Sequence, residues 1–160
     1  MIRNLILIIL LLLLANSVLA EVYFSVEEAI GKIFPVFDEV RPEKRFIDNQ
    51  EVEVYTVFNH GKISGRAVKL SEMGKNYPIT FLAVIDKQGK VLGLYVLEFR
   101  DMFGSEIKRK SFLKQFQGKS VNNPLMVGRD IDAVTGATIS SKAAASAVRK
   151  SLQIISDSIK

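Results

Sequence analysis

Residues 130–150 read DIDAVTGATISSKAAASAVRK, in which four hydroxyl side chains, Thr135, Thr138, Ser140 and Ser141, gather around one helical start. The beginning of a helix presents backbone N–H groups that lack intrahelical partners, together with a partial positive charge. Gly136 and Ala137 stand just ahead of it and are small enough to let another group approach the backbone, which suits an anion such as phosphate. The same residues equally fit a Ser or Thr that simply caps a helix, and the residues alone leave both readings open. Asp132 suits a loop carboxylate bonding to nearby backbone N–H groups. Lys142 could lend charge to a phosphate or sit solvated in the first turn. His60, the single histidine, falls in a turn and reads as an exposed turn residue rather than a base or metal ligand. No acid–base or nucleophile–base pair stands out, so no catalytic residue and no metal site are assigned.

The elements that must position this stretch follow from periodicity. Ala144, Val148, Leu152, Ile155 and Ile159 share one helical face, so a final helix is expected from Ser140 or Ser141 toward Ile159, packed against a sheet. Two hairpins precede it. Residues 51–58 alternate and are joined to 62–70 by Asn59-His60-Gly61, and residues 78–85 are joined to 91–97 by a Gly-containing turn. Residues 25–37 read as a short helix with Ser25 as cap, Glu28 as its box partner and an end near Pro35. Residues 41–49 read as loop, 109–116 as a short helix and 119–128 as loop. Strand pairs with flanking helices and no alternating βαβ pattern indicate an α+β domain on a mostly antiparallel sheet.

Composition bounds the function. In 160 residues there are 22 basic and 17 acidic side chains, a formal net charge of +5, and the charges are scattered rather than gathered into a basic block with interleaved aromatics. Nucleic acid is therefore a poor partner. Arg3, the apolar run of residues 5–15 and the small-residue ending Val18-Leu19-Ala20 have the layout of a secretory signal peptide over residues 1–20, leaving 21–160 as one domain. The run is shorter than the roughly 20 residues needed to span a bilayer, so at most peripheral membrane association is expected. The absence of cysteine excludes disulfides and thiolate-held metal clusters.

Asp132-Ala133-Val134-Thr135-Gly136-Ala137-Thr138 resembles the flavinylation motif of the FMN-binding domain family, and 97–119 resembles the segment preceding that motif in small exported members. The likeness spans residues 77–152. The family includes one subunit each of two related membrane complexes, the sodium-translocating NADH:quinone reductase and the Rnf complex. At the strand end, where those membrane-complex members more often carry a Glu-Thr-Pro-Gly type sequence, this chain has Arg100-Asp101-Met102-Phe103-Gly104. The resemblance implies a single FMN-binding domain in which an exported, FAD-dependent flavin transferase joins FMN through its phosphate to the hydroxyl of Thr138. It further implies that Thr135 is the small hydroxyl required three residues earlier and that Gly136 and Ala137 leave room for the transferase and the ribityl phosphate. Ser140 or Ser141 would be the helix cap. Asp132 would orient the loop or help hold the transferase's metal. Ile139 completes the cofactor-binding stretch, and Glu98 and Gly104 are candidates to border the flavin ring. Met102 is a further candidate for that border, although Met102 and Phe103 are expected to fill core, and Leu125 and Met126 fit either role.

The implied role is an extracytoplasmic or periplasmic electron carrier with membrane or extracytoplasmic redox partners. An alternative from another class is an exported ligand-binding or interaction module of the same fold that carries no flavin. A small flavin reductase ranks last, because the sequence offers no catalytic pair.

Overall fold

Residues 21–158 are described by a computed structural model. The expected signal peptide, residues 1–20, and the expected helical position Ile159 lie outside the described residues.

Turn chemistry sets the sheet. Asp48 and Asn49 take φ 51° and 61° between strands β2 (Glu39–Ile47) and β3 (Gln50–Asn59), with Ile47 paired to Gln50. His60 and Gly61 take φ 50° and 69° between β3 and β4 (Lys62–Met73), with Asn59 paired to Lys62. Both are two-residue loops with positive φ at each position, whose twist matches that of the paired strands. Strand β5 (Pro78–Asp86) turns into β6 (Val91–Phe99) through Gly89 at φ 80°, with Asp86 Oδ1 accepting the N–H groups of Gln88 and Lys90 at 2.8 Å each. The two-residue strand β1 (Glu21–Val22) adds to the free edge of β6, giving the order β1-β6-β5-β4-β3-β2 with every neighbour antiparallel.

Helix α1 (Val26–Ile33) carries the expected capping box: Glu28 N–H donates to Ser25 Oγ at 3.1 Å and Ser25 N–H donates to Glu28 Oε2 at 2.8 Å. It buries Ala29 and Ile30 against Leu82, Val84 and Leu97 on one face of the sheet. Helix α3 (Thr138–Asp157) covers the other face, where Ala144, Val148, Leu152 and Ile155 meet Val68, Leu70, Phe81 and Ala83. Between β6 and α3 lie the short α2 (Lys110–Leu113) and two flanking 3₁₀ turns, which sink Ile107, Phe112 and Phe116 into the same core. The α+β reading therefore holds.

Residues 41–49, expected as loop, belong mostly to β2. Most of this strand's side chains are exposed, so it lacks the alternating burial that marks a strand in sequence, and pairing with β3 alone makes it one. The expected helix over 109–116 is broken into one α turn and one 3₁₀ turn, closed at Gly118 with φ 76°.

Candidate functional site

Three segments meet at the start of α3. The first is the helix start itself. Gly136 takes φ 78°, and no atom lies within 4 Å of a Cβ built there, so backbone conformation rather than close packing requires glycine. Ala137 precedes the helix and is buried, and no side chain caps α3. The backbone N–H groups of Thr138, Ile139 and Ser140 have no intrahelical acceptor by geometry. The expected cap at Ser140 or Ser141 is thus corrected: α3 begins two residues before Ser140, and both serines are buried in its first turn. Ser141 ties the preceding loop to the helix instead. Its Oγ donates to Ala137 O at 2.9 Å and accepts from Val134 N–H at 3.2 Å.

The loop after β6 is the second segment. Gly104, at φ 91°, lies so close to the helix that a Cβ would collide with Ser140 Oγ and come within 3.7 Å of Ala137 Cβ. The third is the β4–β5 turn, and Asp101 fixes it. Only 7% exposed, the Asp101 carboxylate accepts the N–H groups of Lys75 at 2.8 Å, Asn76 at 2.9 Å and Tyr77 at 3.2 Å. This arrangement leaves Lys75 Nζ 5.2 Å from the Phe103 ring centroid. Between the segments opens a cleft of about 350 Å³ lined by Lys75, Phe103, Gly104 and residues 136–140.

Of the residues expected in the site, Gly104, Gly136, Ala137, Thr138, Ile139 and Ser140 line this cleft. Thr138 is exposed and its hydroxyl has no partner among the described residues. Thr135 and Asp132 are exposed and do not line the cleft. Asp132 is held by its backbone, with N–H to Gln115 Oε1 at 2.8 Å and C=O to Gln115 Nε2 at 3.2 Å, and among the described residues no N–H group donates to its carboxylate. The loop-binding role falls to Asp130, which accepts from Met126 N–H at 2.8 Å, Leu125 N–H at 3.2 Å and Lys119 Nζ at 3.0 Å. Burial alone would raise the Asp130 carboxyl, and these bonds outweigh it, holding its pKa below the ordinary value.

Glu98 is not brought to Thr138. Thr80 pairs with Glu98 while Phe81 pairs with Val96, so a bulge at Leu97 puts Glu98 on the sheet face away from α3. There it pairs with Arg100 at 3.1 Å in a separate groove shared with Glu53 and Lys69. Met102 and Phe103, expected in the core, are 85% and 61% exposed. Asp101 takes the inward position to bond the β4–β5 turn, and the two residues after it face outward. Of the two residues that fitted either role, Leu125 is core and Met126 is exposed.

Lys75 and Asp101 were missed from sequence. The signal available was Gly74-Lys75-Asn76, a run of turn residues between two strands, and nothing local links it to Asp101 twenty-six positions on. A Cβ at Gly74 would collide with Asp101 Oδ2 and stand 2.8 Å from Tyr77 O, so that glycine is required by close packing. Chemically, the cleft offers free N–H groups and an ammonium for an anion, an exposed hydroxyl at the helix start, and exposed Phe103 and Ile139 for a flat apolar ligand. Among the described residues no cluster of potential metal ligands occurs.

Residues 74–153 match the family described as the FMN-binding domain. Over 113 residues, 64% of this chain, the sequence is 29% identical to the G subunit of the ion-translocating oxidoreductase complex of Stutzerimonas stutzeri, half of whose length is covered. It is 30% identical over 113 residues to the G subunit of the Na(+)-translocating ferredoxin:NAD(+) oxidoreductase complex of Acetobacterium woodii, of which 55% is covered. The chain thus spans about half the length of these relatives.

Proposed function

The chain belongs to the FMN-binding domain family, and from that premise we propose that it is an extracytoplasmic electron-transfer flavoprotein carrying FMN as a phosphoester of Thr138. The observation that carries this reading is the exposed Thr138 hydroxyl at the first position of an uncapped 20-residue helix, opening onto a cleft with a lysine and exposed apolar side chains.

The residues present fit FMN. Thr138 Oγ1 is the attachment atom, and the N–H groups of the first turn of α3 with the Lys75 ammonium offset phosphate charge. Phe103 and Ile139 offer apolar surface to the ring, and covering them removes their exposure to water. When bound, FMN supplies reversible one- and two-electron transfer, and the protein's part is to hold it and set the charge around it. Gly104 keeps the cleft open by lacking a side chain, while Asp101 keeps Lys75 at its mouth. An ester bond retains the cofactor outside the cytoplasm, where a dissociated flavin would be lost. Asp132, exposed and without a donor to its carboxylate among the described residues, is available to the exported flavin transferase that forms the ester. The names of the two relatives, components of ion-translocating oxidoreductase complexes, support a membrane redox partner. No helix among the described residues is long and apolar enough to cross a membrane. Export rests on residues 1–20.

Intact-protein mass after coexpression with an exported flavin transferase tests the reading. The expected result is a mass raised by one FMN residue, flavin fluorescence that survives denaturing electrophoresis, and loss of both in Thr138→Ala with the fold retained. An unmodified wild-type mass would make the flavin-free binding module the better description, and FMN retained in Thr138→Ala would refute the acceptor.

A further inference from the structure

One turn along α3 from the cleft, Lys142, Ser146 and Arg149 continue the helix face that begins at Ile139, at the i+3, i+7 and i+10 spacing that aligns side chains. With Leu125, Met126, Val127 and Ala145 they line a second, shallow cavity of about 330 Å³ that no role above uses. Its floor is apolar and includes Met126, half exposed. Its rim is cationic. Lys142 and Arg149 make no ion pair among the described residues, and Arg149 is steadied by donating from Nη1 to Leu125 O at 3.3 Å. Arg129 is exposed in the turn that carries Met126. The acid of that turn, Asp130, points inward to Lys119 and the Leu125 and Met126 N–H groups, and Asp132 lines neither cavity. Among the described residues no acidic side chain lines the cleft or this cavity. By contrast, the larger cavity at the far end of α3 carries both signs, being lined by Arg45 and Lys150 together with Asp48 and Asp157.

We infer that the Met126–Lys142–Arg149 surface is the docking site for an acidic protein partner, seated so that it reaches the cofactor cleft one helical turn away. Apolar contact at half-exposed Met126 and partly exposed Val127 supplies area, and the unpaired Lys142 and Arg149 charges steer and orient an acidic face. The partner's role as an electron donor or acceptor rests on the reading in the previous subsection, whereas the docking surface does not require flavin to be attached.

The experiment is a nuclear magnetic resonance titration of the ¹⁵N-labelled chain, without flavin, using an acidic flavodoxin as probe and a basic cytochrome c as its counter-probe. The expected result is amide shifts at Met126, Lys142, Ser146 and Arg149 with the acidic probe alone, weakening about tenfold or more between roughly 20 and 300 mM salt. Lys142→Glu and, separately, Arg149→Glu should each weaken the acidic probe several-fold with unchanged thermal stability; Lys142→Glu stands if the loss of the Leu125 bond unfolds the Arg149 variant. Shifts centred elsewhere, or binding indifferent to both variants, would overturn the inference. So would binding to phosphatidylglycerol vesicles, lost in Lys142→Glu, by a chain that ignores the acidic protein. Because the titration uses flavin-free chain, a negative mass result for FMN and a negative docking result are separate outcomes.

Discussion

Replacing Asp101 by Ala removes the shared acceptor of three backbone N–H groups, held at 2.8, 2.9 and 3.2 Å. Hydrogen bonds to a charged group contribute about 1.5–3 kcal/mol each, so an upper bound is roughly 4.5–9 kcal/mol. The donors belong to the exposed residues Lys75, Asn76 and Tyr77, which water reaches once the carboxylate is gone, and the expected loss falls to about 2–4 kcal/mol. Asp101→Asn can keep its carbonyl on Asn76 and Tyr77, both now bound to Oδ1, but sets its amide against the Lys75 N–H, donor against donor. A loss of about 1–2 kcal/mol is expected. Gly74 supplies a control within the same contact. Gly74→Ala drives a methyl into Asp101 Oδ2 and toward Tyr77 O and Ile79 Cδ1, and in an Asp101→Ala background the sharpest of these conflicts, with Oδ2, is gone. The double variant should therefore be more stable than the sum of its parts by about 1 kcal/mol. Urea denaturation of the parent chain and the four variants, read as shifts in midpoint at constant slope, gives each value. A loss under about 0.5 kcal/mol for Asp101→Ala, or strict additivity with Gly74→Ala, would refute the claim that this carboxylate organises the cleft wall.

Gly104→Ala must hold φ 91° and push a methyl into Ser140, so a loss of about 2–4 kcal/mol in denaturant is expected, together with poorer flavin loading of the fraction that folds. Ser141→Ala, which strands the Val134 N–H beside a buried site, should cost about 1–3 kcal/mol, whereas Ser140→Ala, not being a cap, should stay within about 0.5 kcal/mol; equal effects would contradict the assignment. Because the Asp130 carboxyl is held below its ordinary value of 3.8, its contribution is fully present above that value and is lost as pH falls through the lower folded one. Stability measured against pH should therefore drop more gently below about pH 4 in Asp130→Asn than in the parent chain, beginning from a lower plateau.

The sequence by itself determined the elements whose causes are local. Ser25 and Glu28 announce α1, Asn59-His60-Gly61 announces a hairpin, and the apolar positions from Ala144 to Ile155 announce α3 and the face it buries. The stretch from Asp132 to Thr138 pointed to the cofactor family, and Gly136 has the positive φ that only its residue type adopts freely. Tertiary structure decided what depends on distant partners. The polar β2 becomes a strand because β3 supplies its hydrogen bonds. Met102 and Phe103 face outward because Asp101 between the sheet and the β4–β5 turn takes the inward place, a choice hydrophobicity alone would have reversed. Glu98 leaves the site because a one-residue bulge exchanges sheet faces, and Lys75 enters it because a carboxylate twenty-six residues away holds its backbone. Periodicity and capping are written within a few residues of chain, whereas a cleft is an agreement among segments that only packing brings together.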